Sequence, residues 1–464
     1  MKTKDGSSGL LLVAIALGMF LDGLDGTIVN VALPKMAESF SMGTGGISWV
    51  VTVYFLVMAG LILIMGRICD GGAVKKVMVW GFVIFSAGSL ACGLSSGFGM
   101  LIAFRVVQGI GAAMLASSSV MVTVKYLPAN RLAFGIAIGL LGSSVGAALG
   151  PALGGIITEF SSWHWIFLIN VPMGFIGAAI ALKAVPADTG FSTEGFDIRG
   201  SILLFLSLVC GLYCVESIPT HGVDATSLIM LAGFIILFPA FIFVERRISE
   251  LVIDLSLFRI RRLDAVIVTF ILINVCYMGA LYLLPFFLRV EMGLGSFDSS
   301  LFLLIPAVAT LILCMKTGKM ADERGNRPFV IAGCCVLLAF MLCATMMSSS
   351  SATWFIVLTM ALLGLTWGVM GGPVGSRLIE NVPEDKRGDG SSLLSFFIYF
   401  GCALGTAVFA SLFGVGSGSS GTSIDLLPSA VFLDGFRFAM IAGAILAMIS
   451  LVLSWVINER KADE

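Results

Sequence analysis

Apolar stretches of about 20 residues, each long enough to cross a hydrocarbon layer as a helix, alternate with short polar segments along this 464-residue chain. The pattern predicts spans near 9–33, 47–65, 77–96, 99–124, 132–158 and 163–185. Two more follow near 200–217 and 227–245. Six lie near 264–288, 299–317, 328–347, 352–376, 391–414 and 433–457. An even number of spans returns the chain to the side on which it started.

The polar segments carry their charge unevenly. Arg67, Lys75, Lys76, Lys125, Arg246, Arg247, Lys319, Arg324, Arg327, Arg377 and Lys386 fall on one side; Lys35, Arg289 and Arg437 lie at the other. The positive-inside rule then puts both termini in the cytoplasm of a multi-pass protein of the cell membrane. The run "GSGSSGTS" within Gly416–Phe432 reads as a flexible outer tether. "IDLSLFRIRRL", Ile253–Leu263, reads as an interfacial helix on the inner leaflet.

Composition agrees with a lipid solvent. The chain is 58% hydrophobic and 12% charged, with mean hydropathy +1.05, whereas a soluble chain is about a quarter charged. The first span is too long for a secretory leader and lacks a small-residue cleavage site, so it reads as a membrane helix. Ten cysteines form no CxxC pair and no set with His at metal spacing. They read as small packed hydrophobes. With no P-loop, zinc pattern, nucleophile motif or basic platform, an ATPase, another enzyme and a nucleic-acid binder are excluded, and no cofactor is expected.

Charge inside the spans is therefore the informative feature. Asp22 and Asp25 lie in "LDGLDGTIVNVALP" of the first span. An Asp at a helix centre costs roughly 2.5–3.5 kcal/mol on insertion scales. At a spacing of three the two share nearly one helix face, so their charges repel and their titration is coupled. Arg105, near the start of the fourth span, is a permanent cation at comparable depth and their natural partner. Gln108, one turn on, extends this polar line. Gly142, Gly146, Gly150 and Gly154 recur every four residues in the fifth span, with Gly155 and Pro151 beside them. They form a smooth face for close helix packing. His164, between Trp163 and Trp165, reads as part of an aromatic belt. Trp49, Tyr54, Trp367 and Tyr399, with Gln108 and Asn30, are candidate substrate contacts.

Two inner loops repeat a pattern. "GRICDGGAVKK" carries Gly66, Arg67, Asp70 and Lys75; "GKMADERGNRP" carries Gly318, Lys319, Asp322, Arg324, Gly325 and Arg327. They occupy equivalent positions if each half has six helices and two helices are inserted, a parallel repeat. The loops resemble the signature of the major facilitator superfamily. "RVVQGIGAA" (Arg105–Ala113) and "GSSVGAALGPALGG" (Gly142–Gly155) are similar to its second and antiporter motifs. "LDGTIVNVALP" (Leu24–Pro34) and "SWHWIFLINVP" (Ser162–Pro172) are similar to its fourteen-helix drug/proton antiporter branch. The chain departs from this pattern at Ala73 and Val74, where the signature has Gly and a basic residue. Spans nine to fourteen also lack the mid-membrane acid that often binds cationic drugs in the branch.

The resemblance implies an all-α integral membrane protein with two six-helix lobes, 1–185 and 263–464. Two linker helices lie within 186–262. It further implies a monomer that exports a small amphipathic compound in exchange for protons, with Asp25, Asp22 and Arg105 in proton coupling. It makes the glycine face a dry seal between lobes and the two loops gates, Asp70 and Asp322 capping the following helix or pairing across. Each has a plainer reading: a structural ion pair, close packing, a solvated turn. Two rivals stay open, a uniporter or symporter of a metabolite on the same fold and a non-transporting membrane sensor or scaffold.

Overall fold

The computed structural model describes residues 5–127, 132–188, 198–221, 223–247, 261–380, 387–418 and 427–456. Among them there are helices and no strand. In chain order they are α1 (Asp5–Phe40), α2 (Thr44–Ile68), α3 (Val74–Gly93), α4 (Phe98–Tyr126) and α5 (Leu132–Phe160). The short α6 (Trp165–Leu168) and α7 (Asn170–Ala184) follow as one span. Then come α8 (Ile198–His221), α9 (Ala225–Glu245), α10 (Arg261–Val290), α11 (Ser296–Arg324), α12 (Arg327–Thr345), α13 (Thr353–Glu380), α14 (Arg387–Ser417) and α15 (Ser429–Val456).

Thirteen stretches of the described residues are long and apolar enough to cross a membrane. One of them, Thr44–Gly93, is 50 residues long and contains both α2 and α3. The described chain therefore has fourteen membrane-length helices at the positions the apolar pattern predicts. Ile253–Ile260 of the expected interfacial segment, and 419–426 of the expected tether, lie outside the described residues.

Local chemistry sets the breaks. Between α2 and α3 a π-helical turn, Cys69–Ala73, bends at Gly72, whose φ of 104° suits glycine. Gly325 ends α11 at φ 86°, and Pro328 opens the first turn of α12. Thus "ERGNRP" is a stop followed at once by a start. The side chains of α9 are apolar all round, and Leu228, Ile229, Ile235, Ile236 and Phe243 stay exposed. That is the surface of a helix whose solvent is lipid.

The chain clusters into two compact units. The first comprises Met1–Met36, Trp49–Gly211 and Leu231–Val252; the second comprises Ala37–Ser48, Leu212–Met230 and Ile253–Glu464. In the first unit α3 packs on α4 and α7, with Phe82, Phe85 and Phe167 fully buried. In the second unit α12 packs on α13 and α15, and α10 on α14. Phe286, Phe340 and Phe409 fill its core. The packing partners repeat as the loop motifs do. In the first unit the glycines of α5 meet α1; in the second, a Cβ at Gly405 of α14 would lie 2.6 Å from the Val275 carbonyl oxygen of α10.

Candidate functional site

Asp25 is fully buried in α1, and three side chains donate to it. Arg105 Nη1 of α4 reaches Oδ2 at 2.6 Å; Gln108 Nε2 of α4 reaches Oδ1 at 2.8 Å; Asn170 Nδ2, at the start of α7, reaches Oδ1 at 3.2 Å. Arg105 is 1% exposed. Its Nε donates to the Val50 carbonyl at 2.8 Å and its Nη1 also to Gln108 Oε1 at 2.7 Å. The Tyr54 ring lies 4.2 Å from the guanidinium carbon, a cation–π contact, and Phe167 lies on it at 5.7 Å.

Gln108 joins the parts. Its amide nitrogen donates to Asp25 and, at 2.8 Å, to Ser89 Oγ, while its oxygen accepts from Arg105. Arg has no acceptor, so the amide oxygen must face the guanidinium and its orientation is set by chemistry. An ion pair taken out of water is stable only when its remaining donors and acceptors are satisfied. Helices α1, α2, α3, α4 and α7 and the short α6 all supply a group to this one cluster.

The glycine face positions Asp25. A Cβ at Gly142 would strike the Ala16 carbonyl oxygen, one at Gly146 the Phe20 carbonyl oxygen, and one at Gly150 the Thr27 hydroxyl. At Gly154 it would lie 2.9 Å from the Ile28 carbonyl oxygen. Thr27 Oγ1 also reaches the Ala147 carbonyl at 3.2 Å. Absent side chains let α1 and α5 touch backbone to backbone, and this holds the stretch around Asp25. Pro151 lies buried inside a helix that continues past it, beside buried Gly155. The contacts of Gly142, Gly146, Gly150 and Gly154 all run to α1.

The other expected residues fall in several places. Asp22 is buried in α1, 8% exposed against 0% for Asp25. Gln108 and Tyr54 belong to the charge cluster, where both are fully buried and their polar or ring faces are used on Arg105. Asn30 is buried and donates back to the Gly26 carbonyl at 3.3 Å. Trp49 and Tyr399 are half-buried, and half-buried Trp367 stands 5.5 Å from the Tyr277 ring. His164 stacks on Trp163 at 3.7 Å and contacts the Ser95 carbonyl, the structural place expected of it.

In the first motif loop Lys125 Nζ of α4 donates to the carbonyls of Cys69 and Asp70 at 2.7 and 2.9 Å. Asp70, expected to cap α3, has an exposed side chain; Asp188 takes the Lys75 and Lys76 amides instead, at 2.8 and 3.3 Å. The reach of Asp188 from beyond α7 leaves Asp70 free to face outward. Arg67 and Lys75 are half-buried, and a Cβ at Gly66 or Gly318 would meet nothing within 4 Å. In the second loop Lys319 and Arg324 are exposed, and Arg327 donates to the Trp455 carbonyl at 2.8 Å. The Asp322 side chain lies outside the described residues.

Sequence reasoning missed Asn170, Ser89 and the stacking role of Tyr54. Asn170 stands inside "SWHWIFLINVP", so its signal was present in a motif read for family alone. It also missed Glu216, buried near the end of α8. Among the described residues no group of three or more His, Cys, Asp or Glu could hold a metal.

Comparisons with known proteins agree with this architecture. Residues 15–406 match the sequence profile of the Major Facilitator Superfamily. The riboflavin transporter RibZ of Clostridioides difficile is 29% identical over 87% of this chain and 88% of its own. The multidrug resistance protein Stp of Mycobacterium tuberculosis is 29% identical over 87% of this chain and 75% of its own. The putative multidrug resistance protein MdtD of Klebsiella pneumoniae is 28% identical over 95% and 93%. Among solved structures, a bacterial homologue of the human lysosomal transporter Spinster, inward-facing and unoccupied, superposes with TM-score 0.70 at 14% identity over 98% of both chains. A peptide transporter bound to sulfate has TM-score 0.70 at 15% identity over 96% of this chain and 94% of its own. The family and the relatives are transporters, not enzymes, and this chain belongs to the major facilitator superfamily.

Proposed function

We propose that this transporter exports a small amphipathic compound from the cytoplasm in exchange for protons, by alternating access, with Asp25 as the proton-carrying group. The observation that carries the reading is the fully buried Asp25–Arg105 pair with its Gln108 and Asn170 donors. A proton arriving on Asp25 cancels the anion that Arg105 faces. The guanidinium keeps its charge, so protonation loosens the bond between α1 and α4 and changes the relative stability of two conformations. Asp22, one turn away, is a candidate to relay the proton. Substrate and proton then compete for the states of one cluster, which is the simplest route to antiport. The chain works as a monomer in the cell membrane with both termini cytoplasmic, and the two motif loops gate the inner side.

Relatives described as multidrug resistance proteins support an amphipathic substrate. A second reading is uniport or symport of a flat-ringed metabolite. It draws on half-buried Trp367 beside Tyr277, a ring surface suited to stacking, and on the relative described as a riboflavin transporter.

Proteoliposomes with an imposed pH gradient of either sign separate these readings. Antiport gives uphill substrate movement against the proton flow, and Asp25→Asn, which cannot exchange a proton, loses that accumulation while still binding substrate. Accumulation by Asp25→Asn at the wild-type level would remove Asp25 from coupling. Accumulation along the proton flow would establish symport, downhill movement without accumulation would establish uniport, and no movement at all would favour a non-transporting protein.

A further inference from the structure

Glu216 lies near the end of α8 with 3% of its surface exposed, in the second compact unit. Its Oε1 is in direct contact with Ser48 Oγ, on the first turns of α2 and fully buried. Ser48 Oγ also lies 2.6 Å from the Gly45 carbonyl oxygen. A serine hydroxyl has one proton, and a carbonyl has none to give. If Glu216 were ionised, one of the two contacts would join two oxygens with no proton between them. The count is satisfied when the carboxyl brings its own proton: its O–H donates to Ser48 Oγ, and Ser48 donates to Gly45. Burial acts in the same sense, because a neutral acid costs less to bury than a charged one.

The surroundings hold this arrangement in place. Ser411 Oγ of α14 donates to the Val215 carbonyl at 2.7 Å and lies 3.4 Å from that of Glu216, pinning the end of α8. From α10, fully buried Tyr282 donates to the Thr44 carbonyl and is a titratable group within electrostatic reach of Glu216. Ser48 and Ser411, which α2 and α14 bring, do not titrate in the working range.

We infer that Glu216 is a second proton-binding site, held as a neutral carboxylic acid by Ser48 in this conformation. A shift of Ser48 away from Glu216 withdraws the oxygen that accepts the acid's proton. The site rests on the proton count at Ser48 Oγ and does not require Asp25 to be the coupling residue.

Infrared spectroscopy of the purified full-length protein in detergent reads it directly. Wild-type protein at neutral pH should show a deuterium-sensitive C=O band of a protonated carboxyl. Glu216→Gln should lose that component, Asp25→Asn should keep it, and Ser48→Ala should shift it while keeping its area. An acid region identical in wild type and folded Glu216→Gln would mean that Glu216 is ionised and would overturn the inference. If Glu216→Gln fails to fold, the shift in Ser48→Ala decides the matter, and a band unmoved there overturns the inference. Loss of proton coupling at Asp25 is read in flux assays, so the two readings fail separately.

Discussion

Two of the buried carboxyls, those of Asp25 and Glu216, are kept in opposite ways. Asp25 meets only donors: a guanidinium and two amides point their hydrogens at its two oxygens. Glu216 meets a hydroxyl whose single proton is contested by a backbone carbonyl. The first environment suits an anion, the second a neutral acid. Burial alone therefore says little about charge state; the balance of protons between neighbouring groups decides it. An acid ringed by donors is a place where an arriving proton breaks bonds. An acid that itself donates is a place where a departing proton breaks one.

The same chemical change at both sites exposes the difference, and Asp25→Asn should have the larger effect. It leaves Arg105 buried without its anionic partner, and breaking a buried pair from one side costs about 3–5 kcal/mol. The variant should unfold at a clearly lower temperature in detergent. Adding Arg105→Met should recover part of the loss, because no charge is then stranded. An Asp25→Asn protein as stable as wild type would mean that the pair contributes no net stability.

A second change tests whether packing sets the geometry at Asp25. Gly150→Leu drives a side chain into Thr27 and toward the Ile28 amide, 2.9 Å from the Cβ position. Overpacking of this kind costs about 1–3 kcal/mol, and it should displace α1 and impair transport while the protein remains in the membrane. Gly99→Ala is the control, since a Cβ there meets nothing within 4 Å. Unchanged transport in Gly150→Leu would show that Asp25 holds its position without the α5 contact.

What the chain disclosed in advance follows from the same physics. The fourteen spans were legible because a membrane demands apolar runs of fixed length. Asp25 and Arg105 were legible because charge in such a run is costly and must have a reason. The glycine face was legible as a period of four, although its partner, α1, was not, because periodicity names a face and not what covers it. Tyr54 and Asn170 look like any aromatic or amide in a helix; only their distance to Arg105 and Asp25 distinguishes them. Glu216 escaped notice because it stands at the edge of its apolar run, where an acid usually marks the water boundary. Its contacts with Ser48 and Ser411 join residues far away in sequence.

A third carboxyl sharpens the contrast by removing burial from it. Asp188 also meets only donors, the amides of Lys75 and Lys76, but it is half-exposed at the N-terminus of α3. Its work is that of a helix cap, and Asp188→Ala should cost about 1 kcal/mol, as loss of a cap does. Thermal unfolding in detergent measures this. A loss as large as that of Asp25→Asn would mean that donor number and not depth sets the scale.

Glu216→Gln should have the smallest effect on stability, although it makes the same carboxyl-to-amide change as Asp25→Asn. A protonated glutamate and a glutamine are both neutral and nearly equal in size. The amide N–H can take over the acid's donation to Ser48 Oγ, so Ser48 can keep its bond to the Gly45 carbonyl. One hydrogen bond exchanged for another of similar kind changes stability by roughly 1 kcal/mol or less. The ratio between the two variants is thus the sharpest form of the comparison. Melting temperatures of both variants, measured in one detergent at neutral pH, give that ratio. If the two losses are equal, Glu216 is held in place by charge as Asp25 is, and the distinction between an acid that receives protons and one that gives them does not hold in this protein.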